Sequence, residues 1–337
     1  MTERLASAPL GTTGIEITRV GLGAWAIGGG EWQGGWGPQD DNDSIAAIHH
    51  AVDRGVNWID TAPAYGLGRA EEVVGRAVAE LPEADRPFVF TKCGLVWVEG
   101  ERTVSNSLAP ESIRAECEAS LRRLRVEAID LLQAHWPTWD DTPIEESWAT
   151  MAALVDEGKV RHIGLSNFTV DDLAACEAIR HVDTFQPQVN LLVREACAET
   201  LPWCAENGTG VIAYSPMRSG LLTGTFTAER AATLPDDDWR ASDEDFQEPK
   251  LSAALALLDR LQPVADRVGA SLAELSIAWV LAAPAVSGAI VGARTPGQVD
   301  GWIGAADVVL DEKDIDEIGA ALEASGAGAG PTRLQVA

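Results

Sequence analysis

Four side chains in the first half of the sequence, Asp60, Tyr65, Lys92 and His135, are of types that move protons and stabilise charge. Each stands at or just after the end of a short apolar run. A tyrosine with a pKa of about 10 is a poor acid near neutrality, but an adjacent ammonium favours the phenolate and brings that pKa toward the working range. Lys92 can supply the ammonium, and Asp60 can keep it charged and oriented. His135 can donate a hydrogen bond to a carbonyl oxygen on which negative charge grows as hydride arrives at the carbon. Tyr65 then supplies the proton, so the four together suit the reduction of a carbonyl. Singly, each has a structural explanation: an aspartate caps turns, a loop tyrosine covers apolar surface, a strand histidine bonds within a core. Their coincidence at consecutive run ends favours the chemical reading.

Such a constellation needs strands whose ends share one rim. Apolar runs at 20–22, 57–62, 88–93, 128–135, 160–167, 184–190, 210–216 and 287–291 alternate with segments of helical period at 44–54, 70–81, 110–124, 144–157, 170–179, 197–206, 251–268 and 298–305. Thr169 to Asp172 and Ser271 to Glu274 have capping-box spacing, the second opening an extra helix at 271–282. Eight right-handed crossovers allow a closed barrel or a long open sheet. No linker or composition break divides the chain, which favours one α/β domain over residues 1–337, a single (β/α)8 (TIM) barrel. Residues 10–18 alternate around a turn and predict an N-terminal hairpin within 1–19 that plugs the barrel floor. The barrel would span 20–306, and a helix at 314–324 with a Gly/Ala-rich tail would close 307–337.

In barrel enzymes reactive groups lie at the C-terminal strand ends, where all four residues fall. The remaining composition narrows the partners. Against 25 basic side chains stand 52 acidic ones, leaving a net charge of −27 that repels nucleic acid and anionic bilayers. Neither is predicted as a partner. No basic leader precedes an apolar stretch, and no eighteen apolar residues run together. Five scattered cysteines without a C-x-x-C pair read as reduced thiols, and the predicted location is cytoplasmic. The densest acidic run, 236–248, reads as a solvated surface loop. Adjacent His49 and His50 point about 100° apart on a helix, and no metal site is predicted.

Leu10-Gly-Thr-Thr-Gly-Ile, Gly21-Leu-Gly-Ala-Trp25, Trp58-Ile-Asp-Thr-Ala-Pro-Ala-Tyr-Gly66, Lys92, Asp130-Leu-Leu-Gln-Ala-His-Trp-Pro137, Gly164-Leu-Ser-Asn-Phe168 and Tyr214-Ser-Pro216, with Gly292-Ala-Arg294 and Gln298, run through nearly the whole chain. In these segments the sequence resembles the aldo-keto reductases. The resemblance implies the same barrel, places Asp60, Tyr65, Lys92 and His135 on the family's catalytic tetrad, and implies NADPH, or sometimes NADH, held without a Rossmann domain. It assigns Ser166, Asn167 and Gln188 to the nicotinamide carboxamide and Tyr214 to the face of its ring. Ser215, Met217, Gly220 and Leu222 match positions around the pyrophosphate, and Gly292, Arg294 and Gln298 the adenosine end. Arg294 keeps a cation for a 2'-phosphate, so NADP is the expected cofactor. The chain departs from the family pattern at Thr225, Val291 and Trp302, where many members carry Lys, Pro and Asn. Gly21-x-Gly23-x-x-Ala26 matches a dinucleotide fingerprint in letters only, because it leads into a glycine-rich loop and not a helix.

Of twelve tryptophans, Trp25, Trp32, Trp36, Trp97, Trp136 and Trp139 follow predicted strand ends. Trp25, Trp32, Trp36 and Trp136 are predicted to wall the substrate site, with loop 25–37 as one side of its mouth. The expected partner is a small-molecule carbonyl compound. Two other functions are compatible with these residues: a barrel lyase using Lys92 as Schiff-base nucleophile, and a non-catalytic nicotinamide-nucleotide-binding subunit.

Overall fold

Runs rich in β-branched and aromatic residues pair in parallel as β1 Val20–Gly23, β2 Trp58–Asp60, β3 Phe88–Cys93, β4 Ile129–Ala134, β5 Val160–Ser166, β6 Thr184–Gln186, β7 Gly210–Ala213 and β8 Val286–Gly292. They close in sequence order, β8 returning to β1 with Ala289 opposite Val20 and Gly292 opposite Gly23. The computed structural model describes residues 5–138, 141–235 and 238–334.

Parallel neighbours require crossovers, and these are helical: α1 Asp41–Asp53, α2 Arg69–Glu80, α3 Pro110–Leu124, α4 Ile144–Asp156, α5 Val170–Glu177, α6 Thr200–Asn207, then α7 Ala228–Ala232 and α8 Lys250–Val268. α9 Leu272–Leu281 follows, with α10 Pro296–Asp300 and α11 Glu312–Ser325 after β8. Both capping boxes form, at Thr169 with Asp172 and at Ser271 with Glu274. The architecture is the (β/α)8 barrel. A two-stranded ribbon, Leu95–Val96 with Ser105–Asn106, has no counterpart among the predicted elements. The predicted helix 298–305 is instead short α10 and a 3-10 turn, Ile303–Asp307, separated at Gly301 and Trp302.

The hairpin begins earlier than its alternation suggests. Ser7–Pro9 pairs with Glu16–Thr18, and residues 10–15 form the turn because Gly11 and Gly14 take the positive φ values, +53° and +78°, that glycine tolerates. Leu10 and Ile17 then plug the barrel floor against Trp58, Phe90, Leu131, Ile212 and Ile290. The Trp58 ring sets the spacing of this layer. A Cβ on Gly21 would lie 2.1 Å from that ring and one on Gly288 2.8 Å, so neighbouring β1 and β8 make room for it by carrying no side chain there. Its indole N–H donates to the Thr18 carbonyl at 2.8 Å. Because strand side chains alternate, the inward residues two positions further on, Asp60, Lys92 and Gln133, make a polar layer directly above. The helices cover the outward faces with a larger apolar cluster.

Candidate active site

Lys92 is fully buried, and its Nζ donates to Asp60 Oδ1 at 2.6 Å, to the Thr61 carbonyl at 2.9 Å and to the Tyr65 hydroxyl at 3.4 Å. Tyr65 reaches this point from the turn after β2, whose Gly66 (φ +64°) packs backbone to backbone on Gly28. His135 follows β4, with its ring 5.7 Å from the Tyr65 ring in an edge-on contact. Its Nδ1 is buried without a hydrogen-bond partner among the described residues, which leaves Nε2 toward the cavity that His135 lines. The structure thus brings the four side chains together. Nζ is enclosed by these partners and does not line the cavity, which disfavours a Schiff base at Lys92.

Burial pushes the Asp60 carboxyl up and the Lys92 ammonium down, each opposed by the other 2.6 Å away. The Tyr65 phenol is pushed well above its ordinary value, first by burial and then by the Asp60 charge. This differs from the expectation that Lys92 brings the phenol down. The ammonium sits closer to the carboxylate, at 2.6 Å, than to the phenol, at 3.4 Å, and the phenol is left to burial and the Asp60 charge. Burial, helped by the Lys92 charge, holds His135 well below its usual value and therefore neutral.

Beside these groups, Tyr214 Oη donates to Asn167 Oδ1 at 2.8 Å, and Asn167 Nδ2 donates to the His135 carbonyl and to Ser166 Oγ, both at 3.0 Å. Ser166 Oγ donates to the Gln186 carbonyl at 2.8 Å. Ser166, Asn167 and Tyr214 line the cavity, whereas Gln188 does not. Pro187 has no N–H to extend the ladder, so β6 stops at Gln186, and Gln188 lies past the strand end in a bridge to Tyr214. The glutamine at the cavity is Gln186, whose Nε2 donates to Asp60 Oδ2 at 2.9 Å. Glutamines two apart share strand parity, and only the proline between them signals which lies inside the barrel.

Above this layer an elongated cavity of about 1360 Å³ runs from Tyr65 to the end of β8. Ser215, Met217, Gly220, Gly292, Arg294 and Gln298 line it, while Leu222 faces the apolar core. Ser215, Arg218, Ser219 and Gly220 all have positive φ, between +44° and +92°. The Arg218 and Gly220 N–H groups donate within the turn to the Ser215 and Met217 carbonyls, and a turn of this kind can present its other N–H groups to an anion such as a pyrophosphate. Thr225, Val291 and Trp302, the three departures from the family pattern, also line the cavity. Three of the five N–H donors of Arg294 are already engaged. Its guanidinium donates to the Trp36 carbonyl at 3.1 Å, to the Pro38 carbonyl and to the Gln39 side chain, tying loop 24–39 to β8.

Trp25, Trp32, Trp36 and Trp136 line the cavity, with Trp25 and Trp32 rings 6.4 and 6.0 Å from that of Tyr65. Trp97 lies away from it over Arg123, and Trp139 is outside the described residues. Among the described residues of the acidic segment, Glu244, Gln247 and Glu248 are exposed as its charges suggest, but Asp238, Arg240 and Phe246 are buried. Asp238 pairs with Arg240, and Asp243 and Asp245 share the Arg218 guanidinium at 2.9 and 2.6 Å, which offsets part of the local charge. Trp239 then stacks on Trp25 at 5.8 Å and the Arg240 guanidinium lies 4.5 Å over the Trp36 ring, forming a roof from two loops.

Fold and site together define a (β/α)8-barrel enzyme. Residues 19–323 match the family model described as Aldo/keto reductase family. The chain belongs to the aldo-keto reductases, oxidoreductases that act on small-molecule carbonyl compounds with nicotinamide cofactors. It is 39% identical over 317 residues to aldo-keto reductase YhdN of Bacillus subtilis (strain 168), covering 91% of each chain. It is 37% identical over 329 residues to the NADH-specific methylglyoxal reductase of Escherichia coli (strain K12), covering 94% of this chain and 98% of that protein. Among solved structures, the glycerol dehydrogenase AKR11B4 from Gluconobacter oxydans superposes with a TM-score of 0.86 at 38% identity, over 98% of this chain and 99% of the other. No helix among the described residues is long and apolar enough to cross a membrane.

Proposed function

We propose that this protein reduces the carbonyl of a small, uncharged aldehyde or ketone with a nicotinamide nucleotide, Tyr65 acting as general acid. The observation that carries this is the placement of Lys92 Nζ between Asp60 Oδ1 and the Tyr65 hydroxyl, beside a neutral His135. When bound, the reduced nicotinamide supplies the hydride. A neutral His135 protonated on Nε2 donates to the carbonyl oxygen as charge grows there. Tyr65 passes its proton to that oxygen, and Lys92, held by Asp60, stabilises the phenolate left behind. Gln186, Ser166 and Asn167 stand where they would hold the nicotinamide, the Tyr214 ring would cover it, and the turn 215–220 would hold the pyrophosphate.

The lining residues from the loops after β1, β3 and β4 carry no formal charge at neutral pH: Trp25, Trp32, Gln33, Trp36, Leu95, Val104, His135 and Trp136 among them. An anionic group on the substrate would lose its hydration there without a partner. The charged lining residues other than Asp60 come from the β7–α8 connection and from Arg294.

Arg294 carried the expected preference for NADPH. Its engagement with loop 24–39 supports acceptance of NADH as well, the nucleotide in the name of the E. coli relative. The test is oxidation of NADH and NADPH with a panel of neutral and anionic carbonyl compounds. Turnover confined to anionic substrates, or none with any, would defeat the reading. Arg294→Ala is expected to weaken both nucleotides by similar factors, within about twofold of each other, because what is lost is the loop anchor; a loss confined to NADPH would return the phosphate-reading role to Arg294.

A further inference from the structure

Gln186 ends β6, and Asp60 ends β2, so in a barrel of eight strands closed in sequence order the two lie on opposite sides. The Gln186 side chain nevertheless spans the interior to donate to Asp60 Oδ2 at 2.9 Å, while Lys92 takes Oδ1 at 2.6 Å. Gln186 is 2% exposed, and its backbone is fixed by Ser166 Oγ on its carbonyl and by pairing with Ser166 across the ladder. Among the described residues no donor reaches its Oε1, so the amide holds Asp60 with one end and opens on the cavity with the other.

We infer that Gln186 is a positioning residue that acts through Asp60: by holding Oδ2 it fixes the plane of the carboxylate, and through Oδ1 the place of Lys92 Nζ beside the Tyr65 hydroxyl. The inference rests on the reductase reading only for its kinetic consequence. Terminal carboxylate torsions are broad, and a carboxylate held by one oxygen can turn and carry its partner with it. Held at both oxygens from opposite walls, it cannot. A buried carboxylate oxygen stripped of its donor also loses support for its charged form. The titratable groups around Asp60 are Lys92 from β3, Tyr65 from the turn after β2 and His135 from the end of β4, with Glu71 of α2 acting on Lys92 from outside the barrel.

The test compares Gln186→Leu and Gln186→Glu with the parent, reading kcat against pH at saturating nucleotide and aldehyde. In Gln186→Leu, Asp60 takes a proton more readily. The acid limb, where activity fails because Asp60 is protonated, should therefore move up by about one to two pH units. In Gln186→Glu, the introduced carboxyl can donate to Oδ2 only while protonated. Whatever its rate at low pH, activity of this variant should fall, relative to its own low-pH value, as the new group ionises against Asp60. Limbs that superpose on the parent's in both variants, with only the nucleotide KM changed, would show that Gln186 serves the nucleotide alone. A second readout needs no turnover: the carboxyl carbon of Asp60, followed by NMR in the ligand-free protein, should titrate at higher pH in Gln186→Leu than in the parent. An unchanged midpoint overturns the inference, whereas a parent protein inactive on every carbonyl tested, with a shifted midpoint, overturns the reductase reading and leaves the strut in place.

Discussion

At the scale of single residues, the proposed acid of this site is a phenol that its surroundings keep protonated. Burial, and after it the Asp60 charge, push the phenol well above its ordinary value, so Tyr65 holds its proton throughout the neutral range. Tyr65→Phe is therefore expected to lower turnover by roughly 10² to 10⁴-fold while leaving nucleotide affinity within about twofold, since the donor is lost and the pocket is not. Steady-state rates beside tryptophan-fluorescence titrations check it, and parent-like turnover in the variant would remove Tyr65 from the chemistry. Asp60, Tyr65, Lys92 and His135 were legible because each sits at the end of an apolar run, and strand ends are where barrels carry function. Gln186 was not, since period-two alternation gives it and Gln188 the same direction and the deciding event, the end of β6, is set by Pro187. Arg294 could be read as a cation near the nucleotide end. That its guanidinium belongs to carbonyls more than 250 residues away in sequence could not.

At the scale of elements, the end of β3 is held from α3 by a carboxyl that works against its own burial. Glu116 accepts from the Gly94 N–H with both oxygens, at 3.1 and 2.9 Å, and from Ser112 Oγ, yet burial still pushes it up to about 7. In the unfolded chain the same carboxyl titrates near 4.5. Between those pH values the folded state keeps a proton that the unfolded state has shed, so stability from this group is full below about pH 4.5 and declines as pH rises to about 7. The difference is about 3 kcal/mol. In urea unfolding at pH 5 and pH 8, the parent should lose more stability between the two than Glu116→Gln does, by up to that amount. Parallel losses would mean that Glu116 is already ionised at pH 5. Helices and strands were for the most part legible from period and caps, with bounds shifted by a few residues. The segment after α7 was read only in part, because Asp238, Asp243 and Asp245 are drawn in by Arg240 and Arg218, and the pairing with Arg218 is one that a count of charges along the run does not contain.

At the scale of the molecule, barrel closure and floor packing are one problem. The sequence shows eight alternating units, and closure follows from there being no break among them, but the fit of Trp58 against Gly21 and Gly288 depends on β8 returning to β1. Gly21→Ala should destabilise the protein by about 1 to 3 kcal/mol through overpacking against the indole, and by less in a Trp58→Leu background where the ring is gone. Equal losses in the two backgrounds, measured by urea unfolding, would show that the ring yields freely. The roof over the cavity has a different kind of consequence. Trp25 and Trp36 come from one end of the chain and Trp239 and Arg240 from the other, yet they meet because β7, β8 and β1 are neighbours around the barrel. For anyone re-engineering the specificity of this scaffold, loop 24–39 and segment 238–246 are a single transplantable unit: a graft of either alone carries over half of each aromatic contact, and a graft of both carries the lid whole.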